Sequence, residues 1–139
     1  METTKVTIQA VIQAPVDKVW RFYNEPEHMT KWSFASEDWH APRAQNDLRV
    51  GGKFVTRMEA KDGSMGFDFG GTYDIVEQHK AISYMMEDGR RVDTTFADHG
   101  DTTEVVSVFD AESTHPVELQ QAGWQAILNN FKSYTEQNQ

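Results

Sequence analysis

A chain of 139 residues with no cysteine is sized for one domain that folds without disulfides, thiolate metal sites or a thiolate nucleophile. Its formal net charge of -9 would be repelled by phosphate backbones, so no nucleic-acid partner is expected. The N-terminal Met1-Glu2-Thr3-Thr4-Lys5 lacks the basic region and apolar run of a signal peptide, and no apolar stretch is long enough to span a bilayer; a cytoplasmic protein without membrane insertion is expected.

Val6, Ile8, Ala10 and Ile12 alternate with Thr7, Gln9 and Val11, the period-two pattern of a strand with one buried face. Pro15 stops that strand and can open a helix, in which Val16, Val19, Trp20 and Tyr23 share one face. Asn24 followed by Glu27 reads as the cap of a second short helix that ends near Lys31. Residues 32–50 show no period; Trp32, Phe34 and Trp39 lie there among polar residues and need apolar cover, which a cavity rim would supply. Leu48-Arg49-Val50 leads into a turn or bulge at Gly51-Gly52.

Five strand-like runs follow. Phe54 to Glu59 ends at Asp62-Gly63, a type I′ hairpin signal. Phe67 to Val76 contains Gly70-Gly71, which reads as a bulge or bend in a long strand. Ile82 to Glu87, Val92 to Phe96 and Thr103 to Phe109 end at Asp88-Gly89, His99-Gly100-Asp101 and Asp110, and short turns throughout predict an antiparallel meander. Alternation turns Phe67, Phe69, Tyr73 and Ile75 to one side, with Ile82, Tyr84, Met86, Val92, Thr94, Phe96, Val105, Ser107 and Phe109 on the matching sides of the later strands. A long amphipathic helix starts near His115-Pro116, with Val117, Trp124, Ile127, Phe131 and Tyr134 as its stripe and Gln120 and Gln121 interrupting it. Gly123 inside this helix is explained by close backbone approach, by space for a ligand, or by simple tolerance.

Three stretches carry a family resemblance: Ala14-Pro15-Val16-Asp17-Lys18-Val19-Trp20, Leu48-Arg49-Val50-Gly51-Gly52-Lys53-Phe54 and Gly123-Trp124-Gln125-Ala126-Ile127-Leu128. With the order of elements, they resemble the START-like (SRPBCC) superfamily, in particular the bacterial branch similar to the C-terminal domain of the heat-shock chaperone ATPase activator. The resemblance covers nearly the whole chain. It implies an α+β helix-grip fold: a seven-stranded antiparallel sheet wrapped around a long C-terminal helix, with two short helices after the first strand and an apolar cavity between sheet and helix. Such a fold does not fix function.

The leading expectation is a binder of a small hydrophobic or aromatic molecule, with no cofactor. Trp32, Trp39, Met58, Phe67, Phe69, Tyr73, Tyr84, Met86, Phe96, Trp124 and Leu128 are the candidate ligand-binding residues, and Tyr73, Tyr84, Thr94 and Ser107 are the inward polar groups that would orient the ligand. An enzyme of the cyclase or dehydratase kind is the alternative, with proton transfer by His40 or Tyr84. His40 is nominated by the cluster Glu37-Asp38-Trp39-His40, where an acid beside an imidazole supports proton transfer near neutral pH. A chaperone-associated interaction module and a homodimer are further readings. The five histidines, at 28, 40, 79, 99 and 115, show no metal-ligand spacing, and His99 and His115 are expected to face solvent.

Overall fold

The computed structural model describes residues 4–138; Met1-Glu2-Thr3 of the N-terminal stretch read above lies outside them. In chain order the elements are β1 (Lys5–Ile12), α1 (Val16–Asn24), α2 (Pro26–Trp32), β2 (Trp39–Asn46), β3 (Lys53–Ala60), β4 (Gly66–Glu77), β5 (Ala81–Met86), β6 (Arg91–Asp98), β7 (Thr103–Asp110) and α3 (Val117–Gln137). The strands form one antiparallel sheet in the order β1-β7-β6-β5-β4-β3-β2. Six consecutive strands make a meander and β1 returns beside the last of them. The result is a curled seven-stranded sheet holding a long C-terminal helix, the α+β helix-grip architecture.

The inward face follows from alternation. Val6, Ile8 and Ile12 are buried from β1, and Val105, Ser107 and Phe109 from β7. Register lines these residues up across the sheet. One row runs Ile8, Ser107, Thr94, Ile82; the next runs Val6, Phe109, Val92, Tyr84, Tyr73. From α3, the fully buried Phe131 meets Tyr23 and Trp32 of the short helices at 5.2 and 4.9 Å, and the buried Leu128 belongs to the same core.

Several local expectations are corrected. Asn24 does not cap α2: Glu25 occupies the N-cap and Pro26 the first turn, while the buried Asn24 amide donates to the Trp20 carbonyl. Residues 39–46, which show no period, form the edge strand β2. A register shift between His40 and Arg43, with Pro42 inside it, erases alternation there. The turn at Asp62-Gly63 is not type I′. Five residues separate β3 from β4, and only Gly63 takes a positive φ, whereas type I′ requires one at both central positions. Gly70-Gly71 is not a bulge, since pairing with β3 continues unbroken through both. The irregularity in β4 falls later, between Tyr73 and Ile75. It turns Ile75 outward, 37% exposed, and lets Val76 pack on the core instead.

The interruptions of the α3 stripe have a purpose in the fold. β1 is a sheet edge, and α3 side chains occupy its outward backbone groups. Gln121 donates to the Thr7 carbonyl, Gln125 both donates to and accepts from the Gln9 backbone, and Lys132 donates to the Val11 carbonyl; the Gln13 N–H donates to Glu136. Thr7, Gln9, Val11 and Gln13 share a parity, as the outward groups of an edge strand must. The helix thereby shields an edge that would otherwise template pairing with another strand.

Candidate functional site

The curled sheet and α3 do not close completely. Between them lies a cavity of about 340 Å³, within the range of small-molecule sites. The meander sets its location. The β3–β4, β5–β6 and β7–α3 connections all fall at one end of the sheet, and the last two contribute Arg90, Glu112 and His115, which mark the mouth of the cavity.

Aromatic rings make up much of the wall. Phe54 meets Tyr84 edge-on at 4.7 Å and Tyr73 at 5.4 Å, and Phe69 meets Trp124 edge-on at 5.6 Å. Trp124 itself stacks on Phe109 at 3.9 Å, which fixes the indole from behind. The inward Gly71 makes room for this arrangement: a Cβ there would lie 2.9 Å from the Tyr84 ring and 2.7 Å from the Met85 carbonyl. Trp32 closes the far end, with its indole N–H donating to the Phe22 carbonyl at 2.9 Å.

The polar atoms inside are hydroxyls and amides. Thr94 Oγ1 and Ser107 Oγ, cross-strand partners in the sheet, lie 2.7 Å apart, and the Tyr23 hydroxyl lies beside them. Burial raises the pKa of Tyr23, with Thr94 and Ser107 pulling weakly the other way. The Tyr73 hydroxyl donates to Asn46 Oδ1 at 2.7 Å, and burial first, then Tyr23, drives its pKa up. The pKa of Tyr84 is raised well above its ordinary value, mainly by burial and secondarily by the two neighbouring tyrosines. All three phenols therefore remain protonated donors at neutral pH.

The cavity brings together Trp32, Met58, Phe67, Phe69, Tyr73, Tyr84, Trp124 and Leu128 of the candidate set. Three candidates lie off its wall. Phe96 is buried behind it against Trp20 and Tyr23, at 5.2 and 5.3 Å. Met86 is buried opposite Gly71. Trp39 sits on the edge strand and packs on the outer side of Phe67 at 5.9 Å. His40 does not line the cavity either: it is half-exposed on β2, with Nε2 3.8 Å from Glu59 Oε1. Alternation could not foresee this, because β2 has none.

Reading the sequence missed other wall residues. Tyr23 and Met29 come from the short helices, and Phe54, Thr56, Ile82 and Val92 from strands whose inward parity was legible. At the mouth, His115 lines the cavity although it is 58% exposed, and its Nδ1 lies 2.7 Å from Glu112 Oε1. The His115 bond, then its backbone N–H, hold the Glu112 carboxyl below its usual pKa. Gln120, an interruption of the apolar stripe, is buried here and ties the loop down through bonds to the backbone of Glu112 and His115. His28 stacks on Phe22 at 4.0 Å and bonds the Tyr134 hydroxyl, and with Glu25 and Glu27 it brings three possible ligand atoms within 4.8 Å on the outer surface.

A curled antiparallel sheet gripping a C-terminal helix over an apolar cavity defines a START-like (SRPBCC) protein. Within that class the chain belongs to the family described as Activator of Hsp90 ATPase homolog 1-like protein, which matches residues 13–136. The chain is similar to the solution structure of the AHSA1-like protein from Aeromonas hydrophila, at 47% identity and a TM-score of 0.90, over 96% of this chain and 93% of that one. It is also similar to a Cytophaga hutchinsonii protein, at 57% identity and a TM-score of 0.83 over the same shares. A Chromobacterium violaceum protein shares the fold, with 23% identity, a TM-score of 0.85 and coverage of 96% and 98%. No curated protein matches the chain.

Proposed function

We propose that this protein binds a small hydrophobic or aromatic molecule in the cavity between the sheet and α3. The observation that carries this reading is the cavity itself: about 340 Å³ of space walled by Phe54, Phe69, Tyr84, Trp124, Ile127 and Leu128, where tight packing is the rule for a protein interior. Burial of ligand surface supplies the main driving force, at roughly 25 cal/mol per Å² before the costs of association. Among the described residues, the acid–base pair that lines the cavity is Glu112 and His115, at the mouth.

The test is uptake of the neutral apolar fluorophore N-phenyl-1-naphthylamine, alongside native and denatured masses of freshly purified protein. Saturable uptake, or a copurifying small molecule, is the expected result. Ile127→Trp, which fills the cavity from the helix side, is expected to abolish uptake while leaving the far-ultraviolet circular dichroism unchanged. Absence of both uptake and copurified mass in the unaltered protein overturns the reading. Uptake that survives Ile127→Trp places the binding elsewhere on the molecule.

A further inference from the structure

We infer that the ligand of this cavity is an uncharged molecule carrying an oxygen acceptor, a ketone or a comparable carbonyl, which takes a hydrogen bond from the hydroxyl of Tyr84. The inference rests on the cavity reading above and specifies the ligand class.

The first observation is an unassigned proton. Tyr84 is buried, at 6% exposure, and lines the cavity. Tyr73 has Asn46, and Thr94 and Ser107 have each other; the Tyr84 hydroxyl makes no hydrogen bond among the described residues. Nor is it sealed inside protein, since among the described residues only Thr135 Oγ1 is both sealed and unpartnered. The hydroxyl therefore opens into the cavity. A buried tyrosine normally finds a partner for its O–H. A ligand acceptor supplies one here without altering the protein.

The second observation is the distribution of charge. Arg90, Glu112 and His115 are the charged or basic groups that line the cavity, and all three belong to the turns at its mouth. Arg90 is already held by Asp88 at 2.7 Å and His115 by Glu112. Deeper in, the polar atoms are neutral hydroxyls and amides: Tyr23, Tyr84, Thr94, Ser107 and Asn24. The charge of Arg90 reaches the Tyr84 phenol, but Arg90 is already engaged by Asp88, so an ionised carboxylate or amine placed there would lose its hydration without a free counter-charge, which is far more costly than burying a carbonyl that keeps one hydrogen bond. The raised pKa of Tyr84 acts in the same direction, because the phenol stays a donor across the physiological range.

The third observation is position. Tyr84 stands one row from Thr94 and Ser107 on the inward face of the sheet, and its ring meets Phe54 edge-on at 4.7 Å and Phe69 edge-on at 6.5 Å. An acceptor that reaches the Tyr84 hydroxyl leaves the apolar body of the ligand among those rings and Trp124.

Three probes of one shape test this. They are 2-acetonaphthone, its hydrocarbon isostere 2-isopropenylnaphthalene, and the anion 2-naphthoate, each titrated against the full chain by tryptophan quenching. The ketone is expected to bind roughly tenfold more tightly than the hydrocarbon, and the carboxylate most weakly. In Tyr84→Phe the ketone should lose that advantage while the hydrocarbon keeps its Kd. The substitution removes only an unpartnered hydroxyl, so folding is not at issue. As an independent readout, the carbonyl stretch of bound 2-acetonaphthone should shift to lower wavenumber in the unaltered protein and not in Tyr84→Phe. Equal affinities of ketone and hydrocarbon, or a carboxylate that binds best, overturn the inference and leave the cavity reading standing. Failure of all three probes to bind overturns both.

Discussion

Two residues in α3 sit in surroundings that do not suit them. Gly123 lies in the helix interior, and a Cβ built there meets nothing within 4 Å. That removes close backbone approach as its explanation. Gly123→Ala should raise stability by about 0.5–1 kcal/mol, the helix-propensity difference, as read by urea unfolding. A loss of stability would mean that the open space beside it is needed. Thr135 is fully buried, with Oγ1 lacking any partner among the described residues. Thr135→Val keeps the branch and removes the orphaned hydroxyl, so a gain of about 1 kcal/mol is expected in the same assay. A neutral or destabilising result would show that the hydroxyl finds a partner in solution. Neither property was legible from sequence. Gly123 was visible as a helix defect, but whether its Cβ would strike a neighbour depends on packing. Thr135 has the composition of an ordinary exposed helix position.

At the scale of elements, what the sequence showed and what it hid divide along one line. Strands with a buried face announced themselves: the inward sets Ile82, Tyr84, Met86 and Val105, Ser107, Phe109 follow directly from period two. Elements whose residues answer to something else were hidden. β2 is an edge interrupted at Pro42, the bulge in β4 exchanges Ile75 for Val76, and the glutamines of α3 serve the backbone of β1. The candidate site divides the same way. Phe69 and Tyr84 line the cavity on the side that parity assigns them, whereas Trp39 and His40 lie on β2, whose irregular pattern assigns no side, and do not line it. The clasp of α3 on β1 makes a prediction at this scale. Gln125→Ala removes both bonds to the Gln9 backbone, but water can replace them at an exposed edge, and Ala is the better helix former. The change in global stability should therefore stay below about 1 kcal/mol, while the Gln9 amide exchanges its hydrogen markedly faster. Unchanged protection at Gln9 would show that the clasp is not populated in solution.

For the whole molecule, the point where β7 meets the start of β1 contributes to the response to acid. Asp110 ends β7, bonds Lys5 at the start of β1, and accepts the backbone N–H of Arg91 at the start of β6 at 2.8 Å. Partial burial alone would raise the pKa of this carboxyl. The Lys5 ammonium and the Arg91 N–H outweigh that, and the net shift is downward. A carboxylate whose pKa is lower folded than unfolded binds fewer protons when folded. Its contribution to stability is therefore complete above the unfolded value, about 3.9, and drains away as pH falls through the depressed folded value. Between neutrality and the isoelectric region near 4.9, a second effect runs the other way, because protonation elsewhere relieves the self-repulsion of a chain at -9. Stability should thus hold or rise slightly as pH drops from 7 toward 5, then fall steeply below about 4. Asp110→Asn keeps an acceptor for Arg91 but loses the charge that holds Lys5. It should be less stable than the unaltered chain at pH 7, with the gap closing below about pH 3, where Asp110 itself is protonated. Urea unfolding of both proteins from pH 2 to 8 measures that gap directly. A gap that persists unchanged at pH 2 would assign the role of Asp110 to shape and hydrogen bonding, and the acid sensitivity of the fold to the other depressed carboxylates, such as Glu112 at the cavity mouth and Glu136 on the clasp.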